Sequence, residues 1–149
     1  MTADEYSRRV MQGLISGKHV AKTKGRQTKP ELPHMTETQI QIQCIDWFRQ
    51  QFRKLYDAGK LIHIANERKC NQMQGKEFKA MGVRKGIPDL CLFMARKGKH
   101  GLFIEMKAPK KYPRPEQRAM MQTLEEEGYQ CAVCHSLDEF RDIINNYLI

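Results

Sequence analysis

The sequence predicts an α/β fold, a mixed β-sheet flanked by helices. Three observations carry that expectation. Helical apolar spacing alternates along the chain with short apolar runs bounded by Gly and Pro. Two of those runs, IPDLCLFMA and GLFIEMKAP, are separated only by RKGKH, which implies an antiparallel hairpin. The element order, α-β-(α)-β-β-α-β-α, is not a Rossmann alternation, and no G-x-G-x-x-G or Walker loop is present.

The 149 residues suffice for one domain with its own core. Residues 1–34 differ from the rest. AKTKGRQTKPELP is polar, basic and broken by Gly and Pro, so it reads as a flexible arm. Ahead of it, Tyr6, Val10 and Leu14 share one face of a short helix. The folded body spans 35–149. Thr36 and Gln39 fit a capping box, and Ile40, Cys44, Trp47, Phe48 and Leu55 follow at helical spacing up to Ala58-Gly59. LIHIA (61–65) reads as a strand, followed by a polar connection with one helical turn near Glu77 to Met81. After the hairpin, Pro113 and Pro115 open a helix that Gly128 ends. YQCAVCH is a further strand, and Ser136 with Glu139 forms a second capping box ahead of the last helix.

Several classes are excluded. No apolar stretch is long enough to span a membrane, and the N-terminus has no secretory pattern, so a cytoplasmic protein is expected. The five cysteines lack a disulfide framework. Cys44, Cys91 and Cys131 read as reduced core residues. Cys131 and Cys134 are spaced C-x-x-C, but in a strand they face opposite sides, which disfavours zinc. Met81, Met94, Met106, Met120 and Met121 read as core or interface packing, and His63 as a satisfied strand residue. The formal net charge of +9 suggests a polyanionic partner.

The hairpin carries the chemistry. Alternation along GLFIEMKAP puts Leu102, Ile104 and Met106 on one face and Phe103, Glu105 and Lys107 on the other. Folding about Lys97-Gly98 brings Asp89 towards Lys107, while Pro88 suits a strand start, where no ladder N–H is needed. Asp89, Glu105 and Lys107 are thus expected to converge. Two carboxylates, with the backbone carbonyl of Met106, suit Mg²⁺ or Mn²⁺. Such a cation polarises a phosphate and acidifies a bound water, and Lys107 can orient that water. The competing reading is a Glu–Lys pair on a solvated strand face.

Pro88-Asp89 followed by Glu105-Met106-Lys107 matches the PD-(D/E)xK pattern of metal-dependent nucleases. Together with Ala65-Asn66-Glu67, MGVRKGIPDLCLF, GLFIEMKAP, Pro115-Glu116-Gln117 and GYQCAVCHS, the chain resembles the VRR-NUC family, the virus-type replication-repair nucleases, from about Thr36 to Leu148. The resemblance implies a restriction-endonuclease-like core and Mg²⁺- or Mn²⁺-dependent cleavage of DNA. For a stand-alone module it implies a homodimer acting on branched DNA, notably four-way (Holliday) junctions. It further implies that Asp89 and Glu105 are metal ligands, that Lys107 is the catalytic lysine, and that Glu37 is an acidic residue near the metal. For Glu37 a helix-dipole role is the alternative, although it shares a stripe with Gln41, Cys44 and Phe48. Gln117 reaches the site from the following helix, or else is an ordinary surface residue. Arg114 stands where the family often has a Ser cap. Asn66 and Glu67 match the family's N-E pair.

Arg68, Lys69, Lys79, Arg84, Lys85, Lys110, Lys111 and Arg114 flank these motifs, as phosphate contacts or as a solvated face. The rival functions are a flap- or end-directed nuclease, a nickase with weak structure preference, and a non-catalytic DNA-binding module. If the basic flanks bind phosphates, DNA affinity falls about a thousandfold or more between ~50 and ~200 mM salt, the loss expected for six or more contacts. A titration of labelled DNA that stays flat with salt excludes such contacts.

Overall fold

The computed structural model describes residues 34–65 and 71–149. The N-terminal arm with its helix, together with Asn66, Glu67, Arg68 and Lys69, therefore lies outside the described residues.

The first helix, α1 (Glu37–Gln51), starts as its sequence requires. The Thr36 hydroxyl accepts from Gln39 N, and Gln39 Oε1 accepts from Thr36 N. Ile40, Cys44 and Phe48, spaced by four, form its buried stripe. The expected single helix breaks at Phe52 (φ −125°, ψ 50°), leaving a short α2 (Arg53–Asp57). Phe52 packs its ring against Trp47 and Phe48, a tertiary demand that the periodicity does not reveal. Strand β1 (Leu61–His63) follows. The polar connection holds more helix than one turn: α3 (Gln72–Ala80), opened by a capping box between Asn71 and Gln74. Met81, expected to pack, is exposed at its end.

β2 is only Leu90–Leu92, much shorter than IPDLCLFMA, because Pro88 cannot donate to a ladder and Met94 N turns back to bond Leu92 O. β3 is Leu102–Met106. The two pair antiparallel, Leu90 with Ile104 and Leu92 with Leu102, as the hairpin predicts. The turn falls at Lys97-Gly98, where both φ angles are positive (49° and 77°) and Arg96 and Lys99 exchange backbone hydrogen bonds. α4 (Pro115–Glu126) then crosses to β4 (Gln130–Cys134), which pairs parallel to β3. The sheet order is β1-β2-β3-β4. The last helix, α5 (Leu137–Leu148), is capped by Ser136, but only half of the expected box forms: Glu139 Oε2 accepts from His135 N instead of reaching Ser136 N.

The two faces of the sheet do different work. Leu90, Leu92, Leu102, Ile104, Met106 and Cys134 face α1 and α5, and pack with Phe48, Phe140 and Ile144 as the core. Glu105 and Cys131 face α4 through Gln117 and the Met121 carbonyl. Cys131 and Cys134 thus lie on opposite faces, as their spacing requires, and Cys44, Cys91, Cys131 and Cys134 are free. Among the described residues no helix is long and apolar enough to cross a membrane.

Tyr147 closes the core at 1% exposure, its hydroxyl donating to the Met94 carbonyl at 2.6 Å. Replacing it with Phe strands that carbonyl. Tyr147→Phe is expected to cost about 1–3 kcal/mol in urea unfolding and to leave the site's chemistry intact. An unchanged midpoint means that water satisfies the carbonyl instead.

Candidate active site

β3 is buried along its whole length, yet it carries Glu105 at 1% exposure, followed by Lys107 at 6%. A buried charge of this kind persists only with partners. Lys107 Nζ lies 2.7 Å from Glu105 Oε1 and 3.9 Å from Glu37 Oε1. Glu37, in the first turn of α1, also accepts from Ala108 N at 3.3 Å. Its place is therefore at the site, and its stripe along α1 points there correctly. Gln117 is buried, not a surface residue. Its Nε2 donates to Glu105 Oε1 at 2.5 Å, and its Oε1 accepts from Arg114 N at 2.8 Å. That second bond caps α4 from within, and Arg114 supplies no side-chain cap.

Asp89 sits one residue before β2. Continuing the register sets it across from Glu105. Met106 N donates to Asp89 Oδ2 at 2.7 Å, and Pro88, opposite Met106 in the continued register, has no N–H to offer the Met106 carbonyl. In a strand the N–H and C=O of one residue point to the same side. The Met106 carbonyl accordingly faces the gap beside Asp89. Asp89 is fixed from behind by its own carbonyl, which accepts from Ile64 N at 2.8 Å and lies 2.9 Å from His63 Nδ1. His63 also contacts Gln41 at 3.0 Å, so it is a satisfied positioning residue.

The charges are strained by burial. Desolvation pushes the Glu105 carboxyl up to about 7, against the pull of Lys107, and the neighbouring Asp89 adds to the rise. Burial raises Asp89 as well, opposed by the Met106 N–H and by Lys107. Glu105 Oε2 is the one buried side-chain polar atom among the described residues without a hydrogen-bond partner. An orphaned carboxylate oxygen beside a second carboxylate and a strand carbonyl is a donor set that Mg²⁺ or Mn²⁺ fits. Among the described residues no three His, Cys, Asp or Glu side chains are gathered as a closed metal cage. Two carboxylates and a carbonyl would hold such an ion only in part, as an open site does.

Two clefts are lined by residues of this cluster. Glu37, Asp89, Met106, His63 and Gln41 line one of about 400 Å³. The other, about 1500 Å³, runs between α3 and α4 and is lined by Lys79, Arg84, Lys85, Arg114 and Gln117. Three basic residues from the connection and one from the hairpin's exit thus share a groove that ends at the site. Lys110 and Lys111 lie exposed on the loop between β3 and α4.

Gly86 is a residue that sequence reasoning missed. It adopts φ +89°, and a Cβ there would lie 2.5 Å from the Glu116 carbonyl oxygen. Only Gly lets the strand that delivers Asp89 approach the first turn of α4, which delivers Gln117. The one local signal was a lone Gly before Ile-Pro-Asp.

A mixed sheet whose adjacent strands present Asp and Glu-x-Lys in this register defines a nuclease of the PD-(D/E)xK type. The VRR-NUC domain model matches residues 35–138, and the chain belongs to that family. A solved structure described as a VRR_NUC domain protein is 31% identical, with a TM-score of 0.67, covering 78% of this chain and 91% of that one. The comparison with curated proteins gives no match. A nuclease domain makes DNA the substrate class.

The raised Glu105 sets a pH dependence. Between about 4.5 and about 7 the folded protein holds a proton on Glu105 that the unfolded chain has released. Stability in the presence of a chelator therefore falls as pH rises through that window. Glu105→Gln, with no proton to lose, is expected to flatten the slope. Urea unfolding from pH 5 to pH 8 checks this, and an unchanged slope places its origin elsewhere.

Proposed function

We propose that this chain is a metal-dependent endonuclease that hydrolyses DNA phosphodiester bonds, with Asp89, Glu105 and the Met106 carbonyl holding Mg²⁺ or Mn²⁺. The observation that carries the reading is the buried, unpartnered Glu105 Oε2 beside an ion-paired Lys107. When bound, such a cation supplies charge for the phosphate oxygens and acidifies a bound water. Gln117 and Lys107 both engage Glu105 Oε1, which leaves the buried Oε2 as the oxygen without a partner. Lys107 is an ammonium fixed between Glu105 and Glu37, placed to orient the attacking water and to offset charge growing on the phosphate. Glu37, 3.9 Å from Lys107 Nζ, would add negative charge near a bound cation.

Arg84, Lys85, Lys110, Lys111 and Arg114 serve as phosphate contacts, with Arg68 and Lys69 adjoining them in sequence. The position of Arg84, Lys85 and Arg114 around one groove supports positioning of the backbone more than reading of bases. Branched DNA, a four-way junction above all, is the substrate we favour. Each chain carries one catalytic lysine, so paired incisions across a junction need a homodimer.

Asp89→Ala and Lys107→Ala are each expected to lower cleavage at least ~100-fold, the scale for losing a positioned electrostatic group, while DNA is still bound. Purified protein with Mg²⁺ or Mn²⁺ on duplex, flap, fork and four-way junction measures this. Normal cutting by either variant refutes the assigned roles. Preferential cutting of flaps or ends, or a strict monomer in light scattering, refutes the junction reading alone. Binding without cleavage by the unsubstituted protein makes the chain a non-catalytic module.

A further inference from the structure

We propose that Tyr112 is a base-stacking residue, whose ring covers the face of an unpaired DNA base within a few nucleotides of the phosphate held at Lys107. This rests on the nuclease reading above and names the feature of DNA that the site selects. Tyr112 is 78% exposed. A single exposed aromatic is ordinary on a protein surface. What distinguishes this one is the backbone beneath it, which is fixed from end to end.

The loop leaves β3 with Ala108 N bonded to Glu37 Oε1. Lys111 N closes a turn on Ala108 O at 3.0 Å, with Lys110 held at φ +62°, a conformation uncommon outside Gly and Asn. His135 Nε2 lies 2.8 Å from the Lys111 carbonyl oxygen. Arg118 Nη1 donates to Pro113 O at 2.6 Å, and Arg114 N donates to Gln117 Oε1. Pro113 and Pro115 fix φ on either side of Arg114. The Tyr112 ring meets the His135 ring in a T-shaped arrangement, with centroids 6.5 Å apart. The loop is thus a rigid mount that holds an aromatic outward, and a mount already ordered loses little entropy on binding.

Its surroundings name the ligand. Lys110, Lys111 and Arg114, neighbours of Tyr112 along the loop, are exposed. A stacking surface among cations is how proteins grip unpaired nucleic acid, the cations holding phosphates and the ring holding a base. In an intact duplex each base face is covered by its neighbours, so Tyr112 has nothing to stack on. At a branch, gap or flap a base face is available. Tyr112 lies five residues after Lys107. That length of chain spans at most about 17 Å, so the base it covers lies close to the scissile phosphate. The ring therefore biases the enzyme towards DNA that is unpaired next to the cut.

The test uses the full chain carrying Lys107→Ala, so that DNA is bound without being cut. 2-Aminopurine is placed at successive unpaired positions around the branch of a labelled junction and a flap. We expect its fluorescence to be quenched at one position. Adding Tyr112→Ala abolishes that quenching and weakens binding to the branched DNA roughly tenfold, while binding to continuous duplex is unchanged. Tyr112→Phe, which keeps the ring, restores both. Quenching that survives Tyr112→Ala, or equal losses on branched DNA and duplex, overturns the stacking role and leaves the nuclease reading standing. Failure of the unsubstituted chain to cut any of these DNAs with Mg²⁺ or Mn²⁺ overturns the nuclease reading, and the stacking role with it.

Discussion

The buried contact between Lys107 and Glu105 is the interaction on which the rest of the site depends. Neither charge is tenable alone in a strand this enclosed, because removing either partner leaves an uncompensated buried ion. Their pairing at 2.7 Å fixes the outer face of β3. Gln117 then brings the start of α4 to Glu105, and Glu37 brings the start of α1 to Lys107. Two helices that share no sequence neighbourhood are thereby tied to one tripeptide. The pair still leaves Glu105 Oε2 without a partner, and burial keeps the carboxyl near neutral pH in its titration. A fold that keeps such an atom is poised to gain from a cation, which removes the penalty that burial imposes.

The division of the sheet into an apolar face and a charged face makes that arrangement affordable in structural terms. Leu102, Ile104 and Met106 lock β3 into the core, so the charges on its other face cannot rearrange by slipping register. Pro88 has a second role. Having no N–H, it cannot donate to the Met106 carbonyl opposite, while the Met106 N–H itself bonds Asp89 Oδ2. The carboxylate is thus oriented by the strand it faces, and the Met106 carbonyl on the same side completes the donor set. Gly86 permits the approach of this segment to α4. A cleft lined by Lys79, Arg84, Lys85 and Arg114 reaches Gln117, the residue bonded to Glu105, a distribution of charge that favours a polyanion.

Much of this was determined by the sequence alone. Apolar alternation, Pro-Asp and Glu-x-Lys were enough to predict the hairpin, the face assignment and the convergence of Asp89, Glu105 and Lys107, because those depend on local geometry with a period of two. Thr36 with Gln39 marked the start of α1, because capping is likewise local. Only the tertiary structure decided what depends on distant partners. It broke the first helix at Phe52 to seat that ring on Trp47, cut β2 to three residues, and diverted Glu139 from Ser136 to His135. It turned Gln117 from an ambiguous polar residue into the buried clamp on Glu105, and gave Gly86 its purpose against Glu116. It also fixed the loop that holds Tyr112 outward, through His135 just after β4 and Arg118 of α4. Spacing in sequence specifies which side of a strand or helix a residue takes. Which partner waits on that side is set by how the elements pack, and that is where the charges, the clamp and the stacking ring acquired their roles.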